Sequence, residues 1–532
     1  MGSKAESWSY QAPKHAILWL LLIAIVMARI PTFWLAGEFV AEDAWVFFAE
    51  AFNTNWLSSL LTPYAGYFHL LPRIYAELLS NFPFVYQPYL YALVGIGTNG
   101  FIFSIFYLPH FRHLLPSDTA RAAICLILAL VHNSENLGLV MGQHLYLAFL
   151  LPMLLVMRSP ASKSGKLGTM SASILCTWST PENLALIPFL LLSTFNAKDL
   201  SKRKWSAFTL MNLGVVAAFI LLLRIRDSER TGEFVWSQIP AALDRLIIRG
   251  SLGTGVIGQP ISESIVAIQP LLLDIFGVLV LVAVSALLYK YKRTEIGNTG
   301  LILLGSSLLM IGLSMTRSIY LADLAQIDLP RHVRYLTTPS LSITLILLLI
   351  IYDRLKHKPP TWFYGIWAAY CALLISGLPL LNHWAREPQL FFFKDYVQQI
   401  EEFETGYLNN VQAANLYIPS DVPYWGPVLK SRTSTFSDEA IEEPFTPVTQ
   451  PSSDFSEWLI SIRKHAETRT VMNNQLGFLR FDGLAEGRAW FRDSEDRLLF
   501  TSELMYPKIW RMAGFSFELF DAENEGAEPM AP

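Results

Sequence analysis

"EFVAEDAWVFFAEAFN", residues Glu38–Asn53, follows the first long apolar run of the chain and sets Glu42 and Asp43 side by side. An unpaired carboxylate costs least in bulk water. Here two of them come where the chain leaves a run long enough to cross a bilayer. That run, about 15–36, has no small-residue cleavage site and ends in Arg29, Pro31 and Trp34, so it reads as a retained helix rather than a signal peptide. Two adjacent carboxylates cannot face the same way on a helix. One would point to the protein and the other to water or a neighbour. Either, held near the membrane plane, could have a raised pKa and serve as a general base. The plainer reading is that they favour the start of the following helix, as acids do.

The rest of the chain repeats the apolar pattern. It has 532 residues, 52% of them hydrophobic, more than soluble domains carry. Seven runs reach the roughly 17–25 residues that a ~30 Å hydrocarbon core requires: about 15–36, 86–108, 205–224, 269–289, 298–319, 336–352 and 361–381. Four shorter ones lie between the second and third, about 120–132, 144–157, 167–178 and 182–193. They either cross a thinned region or pair as hairpins that dip in and return. The expectation is an all-α polytopic membrane protein of about eleven membrane helices, some of them short. Its net charge of −4 gives no reason to expect a nucleic-acid partner. Cys125, Cys176 and Cys371 all fall in apolar runs and read as small core residues, with no disulfide framework expected.

Charge sets the expected orientation. Lys4 and Lys14, Arg112 and Arg121, Arg158 to Lys166, Lys198 to Lys204, Lys290 to Arg293, and Arg354 to Lys358 occupy one set of alternate connections. These are cytoplasmic if the N-terminus is. The other connections, "EFVAEDAWVF", "NSENLG", "STPEN", residues 225–268, "DLPRHVRY" and the tail, then face outward. The tail from about 383 begins amphipathic and passes through a Ser-, Thr- and Pro-rich linker. It continues as alternating stretches, "RTVMNNQLGFLRFDG", "EGRAWFRD" and "DRLLFTSEL", that suggest β-strands. This divides the chain into a membrane domain, 1–382, a small mixed or β-rich outer domain, 383–520, and a disordered end, 521–532. No internal repeat is evident.

Further polar residues fall at the outer connections. "TPYAGYFHLLPRIYAELL", Thr62–Leu79, gives an interfacial aromatic stretch its handles in Tyr64, Tyr67, His69 and Arg73; the plainer reading is an aromatic belt with a snorkelling arginine. His132, Glu135, Asn136, Gln143 and His144 join the first two short runs. "WSTPENLALIP" joins the other two, with Thr180 as N-cap, Pro181 at the first helical position and Glu182 in the first turn. Short helices end below the surface, so their tips should line a recess. A wet one open to the outer leaflet would suit a lipid-linked substrate. "IDLPRHVRYLTTP" puts Arg331, His332 and Arg334 at an outer mouth, where a phosphate-bearing head group is the natural ligand of arginine. Interfacial anchoring is the alternative. Arg245 and Arg249, in "IPAALDRLIIRG", read as snorkelling residues of a surface helix. No Walker A, GxGxxG, HExxH, CxxC or GxSxG context occurs, which argues against a nucleotide-driven pump, a zinc peptidase and a serine hydrolase.

Across roughly 1–430, the order of these features resembles the membrane-embedded glycosyltransferases of the C-type superfamily (GT-C). The stretches "EDAWVFFAEAFN", "TPYAGYFHLLPRIYAELL", "STPENLALIP" and "RYLTTP" are similar to uncharacterised bacterial members. The resemblance implies an enzyme of the bacterial inner membrane. It would move a sugar from a polyprenyl-phosphate donor to an outer-face glycan, lipid or protein acceptor in envelope polysaccharide synthesis. By the same resemblance, Asp43, with Glu42, is the acidic catalytic motif. Arg331, Arg334 and His332 clamp the donor phosphate, and inversion follows from a single displacement. His69, Arg73, Tyr67, Glu135, His144 and Glu182 are the substrate-binding candidates. No cofactor is certain; a divalent metal, Mg or Mn, stays open, because no further carboxylate clearly demands one. The alternatives are a polymerase or ligase of lipid-linked glycans centred on the outer arginines and, third, a flippase. A flippase calls for pseudo-symmetric halves, which the sequence lacks.

Overall fold

The computed structural model describes residues 8–30, 34, 43–48, 50–51, 56–64, 66–82, 86–131, 136–226, 244–317 and 336–381, with short strands beyond them. Outside those residues lie Glu42, Glu135, Arg331, His332 and Arg334, and so do the linker and the last twelve residues. The helices are α1 (Trp8–Arg29), α2 (Trp56–Leu61), α3 (Leu70–Leu79), α4 (Gln87–Ser104), α5 (Asp118–Val131), α6 (Gln143–Val156) and α7 (Lys163–Ser179). They continue as α8 (Ile187–Asn196), α9 (Leu200–Arg226), α10 (Gln259–Ile268), α11 (Pro270–Tyr291), α12 (Glu295–Arg317), α13 (Thr337–Leu355) and α14 (Pro360–Leu381). Wide-turn π-helices occupy Asp43–Phe48 and Asp244–Thr254.

Among the described residues, six helices are long and apolar enough to cross a membrane, within α1, α4, α9, α11, α12 and α13. The chain is therefore a helical membrane-spanning protein. α7 and the Pro181–Asn196 segment pass the same test together but are bent by 115° at their junction, so they do not form one straight crossing. α6, with 14 residues, is about 21 Å long at 1.5 Å per residue, short of the ~30 Å core. In the tail β1 (Leu459–Ile462) pairs antiparallel with β5 (Phe517–Phe520), and β2 (Arg480–Ala485), β3 (Arg488–Arg492) and β4 (Leu498–Glu503) form an antiparallel ladder.

The chain divides into two compact units, one of residues 1–32, 61–72 and 92–386, the other of residues 33–60, 73–91 and 387–532. In the first, the core lies between α5, α6 and α13. All of α6 from Gln143 to Leu155 is buried, as is α13 from Thr337 to Ile346. Arg29, at the end of α1, is buried and donates to the Ala129 carbonyl of α5. The connection between α5 and α6 packs beside the middle of α4. Asn99 accepts from the Gly138 N–H at 2.8 Å and donates to Gln143 at 3.2 Å. A Cβ on Gly95 would lie 1.9 Å from the Gly138 carbonyl oxygen. Non-helical backbone at membrane depth must be buried in protein or face water; at Asn136–Gly142 it is buried. The recess expected at this tip is thus filled by α4 wherever the connection is described.

Arg249 departs from the surface reading of its stretch. It is 5% exposed and grips Asp274 of α11 with two hydrogen bonds, Nε to Oδ1 at 2.7 Å and Nη2 to Oδ2 at 2.8 Å. Glycines let this π-helix come so close. A Cβ on Gly277 would lie 2.1 Å from the Ile248 carbonyl oxygen, and one on Gly255 2.6 Å from Ser340 Oγ. The arginine points to a partner inside the protein, not to the interface. Cys125, Cys176 and Cys371 are buried free thiols.

Candidate functional site

In the first unit the site begins with a turn. Tyr64 and Tyr67 exchange both backbone hydrogen bonds, at 2.8 and 3.1 Å, around Gly66, whose φ of +87° is what a glycine supplies in such a turn. His69 follows with φ +51°, rare for a residue with a Cβ. That conformation turns the chain into α3 and folds the imidazole back under Tyr67, ring centroids 3.8 Å apart and 28° from parallel. His144, in the first turn of α6, meets His69 edge-on at 5.6 Å and Tyr67 at 6.2 Å. His144 Nδ1 lies 2.7 Å from the Met141 carbonyl oxygen. A carbonyl only accepts, so Nδ1 carries the proton and Nε2 is the basic nitrogen of the neutral ring. Three of the sequence-predicted residues, Tyr67, His69 and His144, are thereby brought together, all buried.

Hydrogen bonds gather four helix starts around them. The Leu71 N–H donates to Ser179 Oγ at 2.8 Å, Thr180 Oγ1 donates to the His144 carbonyl at 2.7 Å, and Thr338 Oγ1 donates to the Leu145 carbonyl at 2.9 Å. α3, α6, the Pro181 segment and α13 all begin here. Sequence reasoning made Thr180 an N-cap. The structure corrects this: Thr180 occupies the cap position with extended φ and ψ but makes no side-chain cap bond, because its hydroxyl ties to α6 instead. Pro181 stands at the first position as expected, in a 3-10 turn, Pro181–Leu186, and Glu182 in that turn is 7% exposed. Ser179 and Thr338 were not singled out as contacts, since their partners are more than a hundred residues away.

In the second unit Asp43 opens the first π-helix and is 2% exposed. Arg73 is fully buried. Its Nη1 lies 2.5 Å from Glu50 Oε2 and 2.6 Å from the Ser59 carbonyl oxygen, and its guanidinium sits 5.6 Å from the centre of the Phe47 ring. The snorkelling arginine of the sequence reading is thus an internal ion-pair partner. Glu50 is the residue that reading passed over. It stands seven residues after Asp43, and a buried arginine needs an acid. Burial pushes the Glu50 carboxyl above the usual range, against the pull of the Arg73 charge and hydrogen bond. The Asp43 and Glu77 carboxylates both act electrostatically on Tyr91, which is buried and meets Phe48 edge-on at 6.3 Å.

Among the described residues no group of three or more His, Cys, Asp or Glu side chains could hold a metal ion. Glu42, Glu135, Arg331, His332 and Arg334 lie outside the described residues. The chain matches no protein-family model, no curated protein and no solved structure.

Proposed function

We propose that the chain is an integral-membrane glycosyltransferase resembling the C-type superfamily, acting on a polyprenyl-phosphate sugar at the outer face of a bacterial inner membrane. Its N-terminus is cytoplasmic and its β-containing tail periplasmic. The observation that carries this reading is the burial of Asp43 directly after the first span. A carboxylate withdrawn from water is costly to keep for structure alone, and such groups mark functional sites.

In the reaction Asp43 takes the hydroxyl proton of the acceptor as that oxygen bonds to the anomeric carbon from the face opposite the phosphate. The bond from the anomeric carbon to the phosphate oxygen breaks, and its electron pair leaves with the polyprenyl phosphate. The product is inverted. The resemblance alone assigns Arg331 and Arg334, with His332, to the leaving phosphate, as electrostatic holders. His69, Tyr67, His144 and Glu182 are the substrate-binding candidates of the first unit. Arg73, expected as a substrate contact, is assigned instead to the Glu50 pair.

The test is Asp43→Asn in purified protein, assayed against a panel of polyprenyl-phosphate monosaccharides with wild type alongside. Transfer should fall by about 10³-fold or more, the scale of a lost general base with its charge, while expression and melting temperature hold. Turnover at the wild-type rate would reject Asp43 as the base.

A further inference from the structure

The segment carrying Asp43 is held by groups that the reaction above does not use. Arg73 touches that segment twice, over the Phe47 ring and at the Glu50 carboxylate, and anchors it to α2 through the Ser59 carbonyl. Glu77 stands one helical turn after Arg73 on α3 and acts with Asp43 on the buried Tyr91 hydroxyl. The described ionisable groups tied to this segment thus include the Glu50 and Glu77 carboxylates, the Tyr91 phenol and the Arg73 guanidinium. Arg73 is bonded directly to Glu50, the carboxylate farther along the segment from Asp43. In a low-dielectric setting such charges act on each other over several ångströms.

We propose that Glu50 and Arg73 are positioning residues for Asp43: their ion pair fixes the Asp43 segment against α2 and α3, and its net charge sets how readily Asp43 ionises. This rests on Asp43 being the base. Removing Arg73 leaves Glu50 uncompensated, so Asp43 protonates more easily and its midpoint rises. Removing the Glu50 charge leaves Arg73 uncompensated, so the midpoint falls. A merely structural brace would give no opposite displacements.

The readout is modification of Asp43 by dicyclohexylcarbodiimide, which attacks protonated carboxyls in apolar surroundings. It is followed by peptide mass mapping from pH 4 to 9 on the full chain in lipid nanodiscs. Arg73→Gln should raise the Asp43 midpoint by about one pH unit and Glu50→Gln lower it by about as much, while Arg73→Lys stays close to wild type. The acid limb of transfer should move in the same directions. If Arg73→Gln does not fold, Glu50→Gln and Arg73→Lys still carry the comparison. Midpoints that stay together, or move the same way in Glu50→Gln and Arg73→Gln, overturn the proposal. Transfer retained in Asp43→Asn would instead overturn the enzymatic role of Asp43 and leave the labelling result standing on its own.

Discussion

At the scale of a residue, His69 holds the least comfortable backbone among the described non-glycine residues, the only one of them with positive φ. A left-handed conformation of this kind costs of order 1–3 kcal/mol and persists where something else over-determines it. The Tyr67 stack and the Leu71–Ser179 bond do so here. Asparagine tolerates the same backbone and lacks the imidazole. His69→Asn should therefore fold with little change in melting temperature yet lose about tenfold or more in transfer, about 1.4 kcal/mol of barrier. Loss of folding with no separate kinetic defect would make His69 structural. Asp118 is a different case. It bridges Arg112 and the buried Arg121. Burial pushes its carboxyl up, but the hydrogen bonds and charges of the two arginines outweigh that and hold it below the usual value of 3.8. A depressed carboxylate stabilises the fold above its unfolded pKa, and that stability is lost as pH falls through the folded value. Asp118→Asn should cost about 1–2 kcal/mol at neutral pH, discounted because the side chain is 32% exposed. The melting gap to wild type should close below about pH 4. Tyr67, His69 and His144 could be picked out in the sequence as polar residues at connections, but their contact could not. Glu50 looked like one more acid in a helix until Arg73, 23 residues on, was placed against it.

At the scale of an element, hydrophobic run length located the helices well, because a bilayer demands it of every span. Each of the seven long and four short runs overlaps a helix. What run length cannot carry is how helices meet. The 115° turn at Thr180 depends on a hydroxyl leaving its own helix for the His144 carbonyl. The π-helix at Asp244–Thr254 looked amphipathic because Arg245 and Arg249 stand four apart, while the Asp274 that claims Arg249 lies inside an apolar run 25 residues away. The tip between α5 and α6 depends likewise on Gly95 being a glycine. A methyl there would collide with the Gly138 backbone, which cannot swing aside as a side chain can. Gly95→Ala should destabilise the protein by about 3 kcal/mol, the upper end for overpacking. Gly97→Ala, in the same helix with nothing within 4 Å of its Cβ, should be neutral or stabilising by up to about 1 kcal/mol. Thermal unfolding of the two variants side by side in one detergent measures the difference. Equal melting temperatures would mean that α4 and the tip do not press together.

At the scale of the whole molecule, the alternation of charge along the sequence becomes a separation of ends within the first unit. Lys202 Nζ donates to the Leu154 and Met157 carbonyls at the last turn of α6, and Arg203 donates to the Thr194 carbonyl near the end of α8. The Tyr291 hydroxyl donates to Asp353 near the end of α13, and Lys356 pairs with the same carboxylate. His113 feels the charges of Arg158, Lys202 and Glu295 together. These groups tie α6, α8, α9, α11, α12 and α13 at the ends that carry Arg158, Lys202, Lys290 and Arg354. The opposite end of α6 meets His69 and Thr180, and the start of α13 meets α6 there through Thr338 and the Leu145 carbonyl. If lysine and arginine are retained on the cytoplasmic side, the Tyr64–His69 turn faces out. The native thiols are buried, so an introduced cysteine reports alone. Pro63→Cys and Ser162→Cys sit at exposed positions of the two ends. In intact spheroplasts a membrane-impermeant maleimide should label Pro63→Cys and reach Ser162→Cys only after permeabilisation, and inverted vesicles should reverse that order. Labelling of Ser162→Cys in intact spheroplasts would put the basic ends outside. The His69 and Thr180 end would then face the cytoplasm, where a donor carried on the outer leaflet could not reach it.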